Sequence, residues 1–204
     1  MTKKTSRSRK SKRLSLKTRL ALGLILVGLI AAGVSLVRTW QAQHSSAAAK
    51  PLSQILSDRR PDGSQPLISG TPVHITIPSV NIDLNVIPGY YYPATKSWTL
   101  SLDNAQYGVI TAKANNRSGA TFIYAHARVN DFGRLPKVQP GDQAIIKTDN
   151  GRTFNYKFQS SSVVTPDDTS LFSYHGQPVL ILQTCTGTWW QNRQLFVFNF
   201  SGVS

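Results

Sequence analysis

From Thr71 to the C-terminus the apolar positions come in short runs with a period of two, broken by turn residues, which is the signature of β-strands. Val73, Ile75 and Ile77 mark one face of a first strand, and alternation returns from Ile82 to Ile87. Trp98 to Leu102 is a weaker strand, and Thr121 to Ala125 (TFIYA) is a short apolar one. Gln143 to Thr148 and Thr153 to Val164 flank Asp149-Asn150-Gly151-Arg152, and Asn-Gly between two such runs predicts a hairpin. In the second arm Phe154, Tyr156 and Phe158 alternate with polar residues, as in a half-buried strand. Val179 to Thr184 and Gln194 to Phe200 complete the set. Helical periodicity is poor. One or two turns are expected within Asn130 to Val138, and another over Thr169 to Tyr174, capped by Asp167 or Asp168. Many short strands with regularly spaced turns predict an all-β domain, a closed or nearly closed barrel or a sandwich. About 130 residues suffice for one such core.

Ahead of this domain the texture changes. Leu20 to Val37 is 18 residues without a charge, close to the length that crosses a bilayer as a helix. Ten of the 23 Lys and Arg lie at or before Arg38, with no acid among them. A basic flank stays cytoplasmic, which places the chain after the span outside. A cleaved signal peptide is the competing reading, with Ala47 to Ala49 as its processing site. The apolar run is longer than the roughly 7–15 residues of such a signal, which favours an anchor. The expected organisation is a basic cytoplasmic tail at 1–19, a lipid-embedded anchor at 20–37, an extracytoplasmic stalk at 38–70 with a short helix over Leu52 to Asp58, and a β-domain at 71–204. This is a single-pass protein of the cell membrane with its large domain outside. The net charge of +14 therefore argues for membrane orientation and against a nucleic-acid partner. A nucleic-acid binder spreads base over its folded face, whereas beyond Arg38 the chain carries 13 basic and nine acidic residues.

Cys185 is the only cysteine, so no internal disulfide exists. Many free cysteines are simply small buried hydrophobes. In a domain outside the cell, a lone thiol is also the pattern of a reactive group. The last two strands frame it. With Cys185 opposite Arg193, Leu182 falls opposite Phe196, Leu180 opposite Phe198 and Ile181 opposite Val197. Both faces are then apolar, as in the middle of a sheet. In that register Cys185 and Arg193 project from one face with Cβ atoms roughly 5 Å apart, and a slip of one residue would separate them. A guanidinium there favours a thiolate and can donate to a developing oxyanion. A solvated charge at a strand end is the plainer use of Arg193.

A cysteine nucleophile also needs an imidazole. His44 lies in the stalk, and His74 is opposite in parity to Val73, Ile75 and Ile77 and reads as a surface residue. His126 directly follows TFIYA, at a strand end flanked by Ala125 and Ala127. His175, in the loop before the cysteine strand, could also reach the site.

These residues resemble the sortase family. Leu182-Gln183-Thr184-Cys185 is similar to its Leu-x-Thr-Cys motif, and Arg193 to the arginine that opens its next strand. His126, Phe132, Leu135, Gly141 and Asp142 follow its histidine pattern. The chain order of histidine before cysteine excludes papain-like enzymes. Ala125 stands where the family usually has glycine, and the chain contains no glutamate, so the acidic calcium site of some class A members has no obvious counterpart. The subclass is left open. The resemblance covers Thr71 onward and implies a sortase-like barrel and a membrane-anchored cysteine transpeptidase. In that reading Cys185, His126 and Arg193 are catalytic, and the enzyme cleaves a Leu-Pro-x-Thr-Gly-like sorting signal through a thioester. Thr184, Ala125 and the segment 165–178 would line the substrate groove, with Trp189 and Trp190 as an apolar wall or as loop packing on the barrel. The implied partners are surface proteins or pilins with a C-terminal sorting signal, and a peptidoglycan-precursor or pilin amine as acceptor. Neither a cofactor nor a metal is required. A silent sortase-like module that binds cell-wall or pilin peptides is the alternative.

Overall fold

The computed structural model describes residues 66–95 and 97–204. Within them eight strands close into one barrel: β1 (Pro72–Ile77), β2 (Ile82–Gly89), β3 (Ala105–Gly108), β4 (Ala120–Tyr124), β5 (Gln143–Thr148), β6 (Thr153–Val164), β7 (Val179–Thr186) and β8 (Asn192–Val203). Their order around the wall is β6-β8-β7-β4-β3-β2-β1-β5, with β5 pairing back to β6. Two pairs are parallel, β2 with β3 and β4 with β7, and the rest are antiparallel. Among the described residues the helices are three short 3₁₀ turns. Of the all-β barrel and sandwich that the alternation allowed, the closed barrel is what forms.

Alternation builds two apolar layers on one wall. Leu180 and Leu182 of β7, Ile123 of β4, and Phe196 and Phe198 of β8 point into the barrel, where Phe154, Tyr156 and Ile146 complete the core. The opposite parity of the same strands carries Phe122 and Tyr124, Val179 and Ile181, and Leu195 and Val197 to the outer face, covered by Leu171. Burying each such side chain stabilises the fold by roughly 1.5–3 kcal/mol. β4, β7 and β8 are therefore apolar on both faces, and this wall stays rigid.

The β5–β6 hairpin forms as Asn150-Gly151 predicts. The Gly151 N–H donates to the Thr148 carbonyl at 3.0 Å, and Gly151 takes φ +77°, a turn followed by a one-residue bulge. Four details differ from the expectation. Val73 is exposed, because a register shift between Pro72 and His74 against β5 turns it off the face shared by Ile75 and Ile77. The weak strand at 98–102 shrinks to Ser97–Trp98, paired with Tyr91–Tyr92. β3 was not foreseen, because all four of its residues are buried and show no alternation. The two helical segments reduce to 3₁₀ turns at Leu135–Lys137 and Ser170–Ser173. The N-cap of the second is Thr169 rather than an aspartate, although Asp168 just before it accepts the Ser170 N–H at 2.8 Å.

The expected tail, anchor and stalk helix lie outside the described residues. Among those that are described, no helix is long and apolar enough to cross a membrane.

Candidate active site

Cys185 lies directly opposite Arg193 across β7 and β8. Leu182 opposite Phe196, Leu180 opposite Phe198 and Ile181 opposite Val197 follow in the same register. Because Ile181, Leu195 and Val197 face outward, Gln183, Cys185 and Arg193 share that outer face by parity. The barrel interior holds packing, and Cys185 and Arg193 lie on the outside of this wall.

The histidine arrives through the parallel pair. Gln183 stands abreast of Tyr124, and the ladder runs one residue further as the Ala125 N–H donates to the Gln183 carbonyl at 3.2 Å. His126 lies two residues beyond the last paired position of β4, as Cys185 lies two residues beyond its partner on β7. The Thr184 side chain is 3% exposed and donates its hydroxyl to the Ala125 carbonyl at 3.2 Å, closing the junction of the two strand ends. Past His126 the chain turns back at once. The Phe132 N–H donates to the His126 carbonyl at 3.0 Å, and the Phe132 ring is fully buried in the core.

A groove of about 670 Å³ runs over this wall. Cys185, Arg193, Thr184, Gln183 and Ala125 form its head. His126 adjoins the groove through Ala125 and is not itself part of the lining. Phe122, Tyr124 and Trp98 make the floor, with ring centroids 5.1–5.5 Å from Trp98. One side is the segment Pro166 to Phe172 before β7, and the other is the Tyr91–Trp98 hairpin. Arg193 is fixed rather than free. Its Nη1 donates to the carbonyls of Trp190 at 3.0 Å and Asn192 at 3.1 Å. Its Nε and Nη2 make no hydrogen bond among the described residues. Burial pushes the Tyr124 hydroxyl up to about 12, although its hydrogen bond with Thr99 works the other way. Tyr124 is a neutral floor residue at physiological pH.

Trp189 and Trp190 are not brought into the groove, and they do not pack on the barrel. They are 85% and 58% exposed, at a tight turn over Gly187–Gln191 where Gly187 and Trp190 both take positive φ. That backbone directs both indoles to solvent. His175 is exposed and outside the groove lining. His74 pairs instead with Asp83 at 2.7 Å and Asn85 at 3.2 Å on the β1–β2 hairpin. Among the described residues no cluster of His, Cys, Asp or Glu could hold a metal ion. Sequence reasoning missed Tyr91, Trp98 and Tyr124 as groove residues. For Tyr124 the signal was present, since Phe122, Tyr124 and His126 share one parity. For Trp98 there was none, because its place is set by a hairpin of two residues per arm.

The model of the Sortase domain matches residues 75–199. The chain belongs to the sortase family. Sortases are generally cysteine transpeptidases that act on surface proteins and pilins bearing sorting signals. Among solved structures, sortase A of Listeria monocytogenes matches with a TM-score of 0.52 at 19% identity, covering 67% of this chain and 90% of that one. Sortase E1 from Streptomyces coelicolor matches at 0.51 and 19%, covering 66% and 90%. Sortase C-1 from Actinomyces oris matches at 0.50 and 22%, covering 64% and 75%. At such identities these three speak for the barrel and assign no subclass. No curated protein sequence matches the chain.

Proposed function

We propose that this sortase is a membrane-anchored transpeptidase that cleaves a Leu-Pro-x-Thr-Gly-like sorting signal and transfers the acyl part to an amine. What supports the reading is the cross-strand pair of Cys185 and Arg193 at the head of a groove, with His126 two residues past the end of the neighbouring parallel strand. The Cys185 thiolate attacks the threonine carbonyl of the signal. A C–S bond forms, the C–N bond to glycine breaks, and His126 gives its proton to the departing amine. The acceptor amine then attacks the thioester, His126 takes its proton, and the thiolate returns. Arg193, held by two loop carbonyls, offers Nε and Nη2 to the oxyanion that develops in both steps. The aromatic floor receives the apolar residues upstream of the scissile bond. The basic tail and the apolar span at 20–37 support a domain held outside the cell membrane, with a peptidoglycan-precursor or pilin amine as acceptor.

The test uses the full chain in detergent with a panel of sorting-signal peptides and amines of the glycine, diaminopimelate and lysine types. A Cys185 thioester seen by mass spectrometry, a transpeptidation product, and loss of both in Cys185→Ala are expected. Absence of any thioester across the panel would sink the reading. Arg193→Ala should lower turnover by at least a hundredfold with the fold retained, as loss of an oxyanion donor does.

A further inference from the structure

His126 has no visible orienting partner. Neither ring nitrogen makes a hydrogen bond among the described residues. With no hydrogen bond to the ring, the backbone that carries His126 takes a large part in placing it. Two residues further on, Arg128 uses two different donors for two different acceptors. Its Nε donates to the Asp131 carboxylate at 2.7 Å, and its Nη2 donates to the Leu102 carbonyl. Asp131 is 4% exposed, so this is a buried carboxylate held by a half-exposed arginine. The Arg128 carbonyl in turn accepts the N–H groups of Asp131 and Gly133, both at 2.9 Å. Gly133 is required there, since a Cβ would lie 2.7 Å from that carbonyl oxygen.

The far end of the clasp is equally well fixed. The Ser101 N–H donates to Gln106 Oε1 at 2.7 Å, Gln106 Nε2 donates to Thr99 Oγ1 at 2.7 Å, and Thr99 Oγ1 meets the Tyr124 hydroxyl at 3.2 Å. Gln106 is 3% exposed and belongs to β3. The segment 99–104 is thus tied to β3 and β4, and Arg128 ties the loop 126–133 to that segment. His126 lies between these fixed points, with β4 before it and Arg128 after it.

We propose that Arg128 and Asp131 form a positioning clasp that holds His126 at the cysteine face, so that the base depends on an ion pair two to five residues downstream. This rests on His126 being the acid–base residue of the proposed reaction. Arg128 is the specific choice because the two acceptors lie on different segments. A lysine ammonium is a single point charge and cannot take the place of a fork that spans both. Arg128 and Asp131 do not themselves line the groove, so the clasp acts on turnover more than on donor-peptide binding.

The experiment is steady-state transpeptidation by the full chain with Arg128→Ala, Arg128→Lys and Asp131→Asn, each also made with His126→Ala. Asp131→Asn keeps an oxygen for Nε and covers the case in which the arginine variants fail to fold. Expected are a fall in kcat of tenfold or more for both arginine variants, a smaller fall for Asp131→Asn, and a KM for the peptide within twofold of the original. In the His126→Ala background, read by acyl-enzyme accumulation over hours, the clasp variants should change nothing further, because coupled residues do not add. Turnover within twofold in folded Arg128→Lys, or losses that multiply with that of His126→Ala, would overturn the clasp while leaving the site reading intact. Full activity of His126→Ala itself would instead overturn the site reading.

Discussion

Trp98 stacks on Phe172 with ring centroids 5.9 Å apart and planes at 28°. One ring comes from the hairpin between β2 and β3, the other from the 3₁₀ turn before β7, and both line the groove. The stack joins the two sides over the Phe122 floor. Trp98→Ala should raise the KM for a sorting-signal peptide about tenfold, with kcat changed less than twofold. Such a split marks lost ground-state binding. The stability cost should be about 2 kcal/mol, below that of a fully buried tryptophan. An unchanged KM would detach this stack from substrate recognition.

Thr184 holds two strand ends together through one hydroxyl. Thr184→Val keeps the shape and removes the donor to the Ala125 carbonyl. A buried acceptor left without its partner costs about 1–3 kcal/mol, so chemical denaturation should show a loss in that range. Thr184→Ser should recover most of it. Cysteine reactivity and turnover should fall with the valine variant, since His126 and Cys185 follow directly after the joined residues.

Gly89 is glycine because of Tyr124. A Cβ at position 89 would stand 2.3 Å from the Tyr124 hydroxyl oxygen and 2.9 Å from Cζ. Gly89→Ala should therefore push the ring out of the groove floor at about 1–3 kcal/mol, the usual cost of overpacking. Adding Tyr124→Phe should relieve part of that cost. A simple sum of the two single effects would show that the contact is not the cause.

Alkaline pH offers a separate check on the same residue. Burial raises the hydroxyls of Tyr124, to about 12, and of Tyr107 and Tyr156 above the ordinary value of 10.0. A group that holds its proton more tightly when folded stabilises the fold fully below the unfolded pKa. That stability is lost as pH rises through the folded pKa. Stability should hold up to about pH 10 and then decline, and ultraviolet titration should show late-ionising tyrosines that appear early only on unfolding. Tyr124→Phe should remove one late step. Three late tyrosines that titrate near 10 in the native protein would contradict this burial.

Much of this was legible in the sequence because packing and chemistry obey the same parity. With Cys185 set opposite Arg193, Leu182 fell opposite Phe196 and Leu180 opposite Phe198 with both faces apolar, and that assumed register is the one that forms. The β5–β6 hairpin was equally plain from Asn150-Gly151. What escaped was structure with no periodic signal. β3 is buried on both faces over four residues, and the Trp98 hairpin is too short to alternate. Val73 was misplaced because a register shift inverts parity without leaving a mark in composition. The exposure of Trp189 and Trp190 follows from two positive φ angles, one of them at a tryptophan, which no residue preference announces.

The parallel pairing of β4 with β7 has a consequence for how the chain folds. Ala125 and Thr184 meet across 59 residues of sequence, and contacts that distant form late because the intervening loop must first be closed. Until then Cys185 lies on a strand remote from His126. Barrel closure and the approach of the Cys185 strand to the end of β4 are then a single event, so the arrangement on which the proposed reaction depends exists only in the closed barrel.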